Sequence, residues 1–138
     1  MFEKIVTAID GSEYDRKALE ATKELSKLAE ATVRVVHVRE GDFIARAGVV
    51  PREEHDGASK LLDGTVDELL AAGVKATGSL RSSVSSLVAL EILREAEEYG
   101  ASVIVKGSRG VSDLKGLIVG STTHKVLHLG NLPVLVIR

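Results

Sequence analysis

Cysteine and tryptophan are absent from the 138 residues, and phenylalanine, tyrosine and proline occur only twice each. The missing thiols exclude disulfide scaffolds, Cys-ligated metal sites and thiol nucleophiles, and they suit a reducing compartment. The scarcity of aromatic rings removes the platforms on which single-stranded nucleic acid is usually stacked. An excess of one charge is also lacking. Basic residues number 18 and acidic residues 20, mixed along the chain for a formal net charge of -2, so no basic stripe can neutralise a phosphate backbone. Nucleic acid is therefore not an expected partner. No apolar run approaches bilayer-spanning length, so no membrane partner is expected either. The opening Met1-Phe2-Glu3-Lys4-Ile5-Val6 has neither the basic stretch nor the apolar core of a secretory signal. These absences together lead us to expect a cytoplasmic protein.

What is present is aliphatic. Hydrophobic residues make up 44% of the chain, so the core has to be built from Val, Ile, Leu and Ala. A chain of this length suits one domain, residues 1–138, that buries roughly two-thirds of its unfolded surface. Short β-branched runs recur at Lys4–Ile9, Thr32–Val38, Ser102–Val105 and Pro133–Ile137, and their near-continuous apolarity implies burial on both faces. Val74, Ala76, Gly78 and Leu80 alternate more weakly and suit an edge strand.

Helical signals fill the gaps. Ser12 and Asp15 resemble a capping box ahead of Ala18, Thr22, Leu25 and Ala29. Pro51 is placed to start a second helix, which stops at Gly73. A third is expected from Ser85 or Ser86 to Tyr99, closed by Gly100. A fourth follows Gly120 and carries Val126, Leu127 and Leu129. Residues Arg39–Val50 are the one long connection. Strict strand and helix alternation implies a parallel sheet with helices on both faces, joined by right-handed crossovers.

In such a sheet a ligand crevice lies beyond the carboxyl ends of the strands, where the winding reverses. Asp10-Gly11-Ser12 follows the first strand. Lys106-Gly107-Ser108-Arg109-Gly110 follows the fourth, and Gly120-Ser121-Thr122-Thr123 opens the last helix. Glycines let backbone amides approach a ligand, and a helix N-terminus adds unpaired N–H groups and partial positive charge, a combination suited to an oligophosphate. Asp10-Gly11-Ser12 taken alone also reads as a simple helix cap, and isolated glycines as turn residues.

The spacing is more specific. Gly107-x-x-Gly110, nine intervening residues, then Gly120-Ser121 resembles the nucleotide motif of the universal stress protein family. Further likeness lies in Ile5-Val6-Thr7-Ala8-Ile9-Asp10-Gly11-Ser12-Glu13, in Val36-His37-Val38 and in Asn131-Leu132-Pro133-Val134-Leu135-Val136-Ile137. The resemblance implies a three-layer, doubly wound α/β fold of the adenine nucleotide alpha hydrolase type, with a five-stranded parallel sheet of order 3-2-1-4-5. It implies that Asp10 and Gly107 bound the adenosine part and that Val38 contacts the adenine. Gly110, Gly120, Ser121 and Thr123, with Thr122 beside them, would surround the phosphates. Arg109, from its place between the glycines, is expected to reach phosphate oxygens. The implied ligand is ATP or another adenine nucleotide, with Mg2+ or Mn2+ bridging its phosphates.

Lys106 stands where the family usually has an apolar residue, and Arg81-Ser82-Ser83-Val84-Ser85-Ser86 departs from the usual approach to the third helix. The implied role is a stress-response regulator or nucleotide sensor. A weak ATPase and a nucleotide-independent scaffold or chaperone-like dimer, working through residues Arg39–Val50, are the alternatives. No Walker lysine, nucleophile elbow or phospho-acceptor Asp after the third strand is present, and no catalytic residue is assigned. His124 and His128 share a helix face, but Lys125 occupies the position of the HExxH glutamate and no third ligand is evident, so no metal site is assigned. Under the implied order, strand 133–137 forms an uncharged apolar edge. Such an edge invites pairing with a second copy in a homodimer.

Overall fold

The computed structural model describes residues 1–110 and 119–138. In chain order the elements are β1 (Lys4–Ile9), α1 (Tyr14–Ala29), β2 (Thr32–Ile44), β3 (Gly48–Pro51), α2 (His55–Ala71) and β4 (Lys75–Val84). A 3-10 turn at Ser85–Leu87 then leads into α3 (Val88–Tyr99), β5 (Val103–Gly107), α4 (Ser121–Leu129) and β6 (Val134–Ile137).

The strand β1 is buried at every position after Lys4, because it lies at the centre of the sheet with helices on both faces. It pairs in parallel with β2 on one side and β5 on the other. Outside these, β4 pairs in parallel with β2, and β6 with β5. The parallel order β4-β2-β1-β5-β6 is the expected 3-2-1-4-5, and the winding direction reverses between β1 and β5.

Side chains alternate across the sheet with the two-residue period of a pleated strand. Ile5, Val33, Val35, Val103 and Val105 join Ala18 and Leu19 of α1 and Leu62 and Leu69 of α2 in one core. Val6, Ala8, Val36, Val38 and Ile104 join Val88, Ile92 and Ala96 of α3 and Val126 of α4 in the other. The result is three layers, with a mostly parallel sheet in the middle.

A sixth strand is the main departure from the sequence reading. Instead of a long connection over Arg39–Val50, β2 continues to Ile44, and the chain turns back as β3, antiparallel from Gly41↔Pro51 to Ile44↔Gly48. Gly41 permits the crossing: a Cβ there would lie 2.5 Å from the Val50 carbonyl oxygen.

Several boundaries also move. Pro51 closes β3 rather than opening α2, which begins at His55. Gly57 and Gly64 inside α2 face open space, so that helix is held by its buried face, Ala58, Leu62, Thr65 and Leu69. Residues 81–84 stay in β4, which delays α3 to Val88. Leu127 and Leu129 of α4 are exposed, and the helix buries Thr123 and Val126 instead. No helix among the described residues is long and apolar enough to cross a membrane.

Candidate functional site

A cavity of about 310 Å³ opens at the carboxyl ends of β1, β2 and β5, where the winding reverses. That volume lies at the low end of the roughly 300–1,000 Å³ typical of ligand pockets. Val36, Val38, Val88 and Ile92 form an apolar wall between β2 and α3, and Lys106 and Thr122 stand where β5 and α4 meet.

The loop after β1 is set by its own polar groups. Gly11 has φ of 83°, a conformation that favours glycine, and it turns the chain out of β1. Asp10 accepts the Ser12 N–H at 2.9 Å through Oδ1, and Asp15 reaches back to accept the Gly11 N–H at 2.8 Å. The expected capping box is therefore altered. Asp15 caps the loop amides, no side chain caps α1 at Glu13, and Ser12 Oγ is buried with no partner among the described residues.

Burial, and then the neighbouring Asp10 charge, push the Asp15 carboxyl up to about 6. The Gly11 and Asp10 amides and the positive charge of Lys106 oppose that rise.

The end of β5 is tied to the start of α4. Thr123, 1% exposed, donates its hydroxyl to the Gly107 carbonyl at 2.9 Å, and the Gly120 N–H donates to the Ser108 carbonyl at 2.6 Å. Gly107 is needed for close approach, since a Cβ there would lie 3.0 Å from Tyr14 Cβ and 3.2 Å from the Tyr14 carbonyl oxygen.

Of the residues singled out from the sequence, Asp10, Val38, Gly110 and Thr122 line the cavity. Gly107, Gly120 and Thr123 are buried behind it. Arg109 is half-buried, and Ser121 is exposed at the first turn of α4. The spacer of the glycine motif lies, apart from Val119, outside the described residues.

Three further residues reach the cavity. His37, 3% exposed, donates from Nδ1 to the Ile9 carbonyl at 3.0 Å, while its Nε2 meets the Glu53 carboxylate at 2.9 Å. Its place beside Val38 at the end of a strand was the available signal. Glu53 and Arg52 arrive only because the hairpin of β2 and β3 folds back, and nothing local in the sequence announces that. His124 and His128 are exposed with rings parallel and centroids 6.1 Å apart. Among the described residues no group of three or more His, Asp or Glu is placed to hold a metal.

Comparison with known proteins adds the family. The model of the universal stress protein family matches residues 1–138. Universal stress protein YxiE of Bacillus subtilis is 35% identical over 151 residues, covering 100% of both chains. The solved universal stress protein of Archaeoglobus fulgidus superimposes with a TM-score of 0.79, at 27% identity over 100% of each chain. A structure of the universal stress protein from the same organism in complex with dAMP aligns with a TM-score of 0.76 at 24% identity, again over 100% of each chain. Motif spacing, sheet order and whole-length similarity agree, and the chain belongs to the universal stress protein family.

Proposed function

We propose that this chain binds an adenine nucleotide in the cavity between β1, β2 and β5 and acts as a nucleotide-responsive regulator in the cytoplasm. The observation that carries the reading is the cavity's two-ended character. Its β2 and α3 end has an apolar wall of Val36, Val38, Val88 and Ile92 that suits a purine, beside the polar His37, Glu40, Arg52 and Glu53. Its β5 and α4 end presents Lys106, Gly110 and a helix N-terminus and suits phosphate. In this reading Val38 contacts the base and Asp10 the ribose. Gly110, Gly120, Ser121, Thr122 and Arg109 are on the phosphate side, while Gly107 and Thr123 fix the β5 to α4 junction behind them. The relative solved with dAMP supports an adenine ligand by analogy.

ATP is the nucleotide we favour. Mg2+ or Mn2+ would be held by the phosphates, because the described residues supply no cluster of three metal-ligating side chains, and the ion would neutralise phosphate charge. No residue is assigned to attack or activate water, and hydrolysis is expected to be slow.

Denaturing the purified protein and identifying the released small molecules by mass spectrometry tests the reading directly. An adenine nucleotide near one equivalent is expected. Recovery of none, together with an unchanged melting temperature in millimolar ATP and Mg2+, would overturn it.

A nucleotide-independent scaffold is the second reading, and the β2–β3 hairpin favours it by exposing Phe43 (71%) and Ile44 (50%). Suppression of client aggregation that is lost in Phe43→Ser and indifferent to ATP would establish that reading instead.

A further inference from the structure

Lys106 is 4% exposed and lines the cavity. It sits opposite Ala8 in the parallel ladder and shares the strand parity of Ile104, which points to the α3 and α4 side of the sheet. Thr122, at the start of α4, borders the same cavity.

Taking an ammonium out of water is unfavourable unless a counter-charge accompanies it. The positive charge of Lys106 acts on the Asp15 carboxyl, without a hydrogen bond or close ion pair between the two among the described residues. The acids lining or bordering the cavity have hydrogen-bond partners of their own, Glu53 with His37, Asp15 with the Gly11 amide and Asp10 with the Ser12 amide, and Glu40 also lines it. A further, directly bonded counter-charge for Lys106 can come from the cavity side, where the α4 N-terminus adds its own preference for an anion. The β2 and α3 side is walled by Val36, Val38 and Ile92, with Glu40, Arg52 and Glu53 also lining the cavity.

We infer that Lys106 is the specificity-determining residue of this cavity, its ammonium pairing with a phosphate oxygen so that phosphorylated nucleosides are selected over bare nucleosides. The inference rests on the nucleotide reading above and extends it. A neutral apolar residue at this position would leave recognition of the phosphate to backbone amides and the helix N-terminus alone. The lysine adds a charge-assisted contact, and it partly offsets the Asp15 carboxylate, which would otherwise repel an anion.

Titration calorimetry of the full chain with adenosine and with AMP, on the unsubstituted protein and on Lys106→Met, tests the inference. The unsubstituted protein is expected to bind AMP roughly 10- to 100-fold more tightly than adenosine. Lys106→Met conserves volume and removes a buried charge, so it should melt no lower than the parent, and Lys106→Gln replaces it if it aggregates. The variant should bind adenosine as the parent does and lose most of the preference for AMP. Retention of the full AMP-to-adenosine ratio by the variant overturns the assignment.

If no adenine compound binds either protein, the nucleotide reading falls, and inorganic pyrophosphate alone then decides the role of Lys106. A pyrophosphate-induced rise in melting temperature that is present in the parent and absent in Lys106→Met sustains an anion site at this residue. No rise in the parent ends it.

Discussion

Asp15 shows how one side chain can serve local structure at an electrostatic cost. Its carboxylate holds the loop after β1 by accepting the Gly11 amide, yet burial and Asp10 push its pKa from 3.8 up to about 6. The folded state therefore binds the proton more tightly than the unfolded chain does. The associated stability is fully present below about pH 3.8 and is lost as pH rises through about 6. Asp15→Asn should abolish that decline, which is at most about 3 kcal/mol and is reduced by solvent at this partly exposed loop. Urea midpoints measured from pH 4 to pH 7 on both proteins check this, and parallel pH profiles would contradict it.

Gly107 makes a second case at the same scale. Gly107→Ala would place a methyl group against the Tyr14 backbone, and a loss of about 1–3 kcal/mol is expected by denaturant titration. Gly107 stood out in the sequence as part of the spaced glycine motif, but its steric task against Tyr14 was not legible there. That task depends on where α1 lands on the sheet.

At the level of the element, α3 is anchored by charge as well as by its apolar stripe. Glu95, 3% exposed, accepts from Arg34 at 2.8 Å, from Arg81 at 2.7 Å and from Ser79 at 2.8 Å. Arg81 also pairs with Glu91 at 2.9 Å and with Glu98 at 2.5 Å. Burial pushes the Glu95 carboxyl up, but the hydrogen bonds from Arg81, Ser79 and Arg34 prevail and hold its pKa below the usual 4.5. Its contribution is thus present above about pH 4.5 and is lost as pH falls through the lower folded value, the opposite sign to Asp15. Glu95→Ala leaves Arg81 and Arg34 facing each other without their shared acceptor, and a loss of about 3–5 kcal/mol is expected in chemical denaturation. A loss below about 1 kcal/mol would show the cluster to be solvent-screened.

Glu95 belongs to an acidic run with Glu97 and Glu98, a local pattern that suits a solvated helix face. Glu95 is buried because β4 brings Arg81 and Ser79 beneath it, and helical periodicity carries no information about a strand that lies across the helix.

The molecule as a whole has one feature that bears on assembly. Among the described residues the strand β6 pairs only with β5 and so forms an edge, and the Pro133 and Ile137 carbonyls accept from Ile104 and Ser108 of the β5 side. Residues of the same parity face β5, which leaves the main-chain groups of Val134 and Val136 directed outward. We expect a homodimer through residues 133–137, paired antiparallel about a two-fold axis. Val136→Pro removes an outward donor while sparing the bonds to β5, and light scattering should show dimer for the parent and monomer for the variant. A monomeric parent would refute the expectation.

The alternation of aliphatic strands with helix-length segments determined the layered α/β class, because two-residue and 3.6-residue apolar periods are local properties that survive without tertiary contacts. The glycine spacing after the fourth strand likewise pointed to the strand ends at which the cavity opens. Only the tertiary structure decided that β2 runs on into a hairpin bringing Glu53 to His37, that Thr123 faces Gly107 rather than the cavity, and that Lys106 is buried at its wall. Each of these depends on contacts between segments far apart in the chain, and residue type and spacing do not encode such distances.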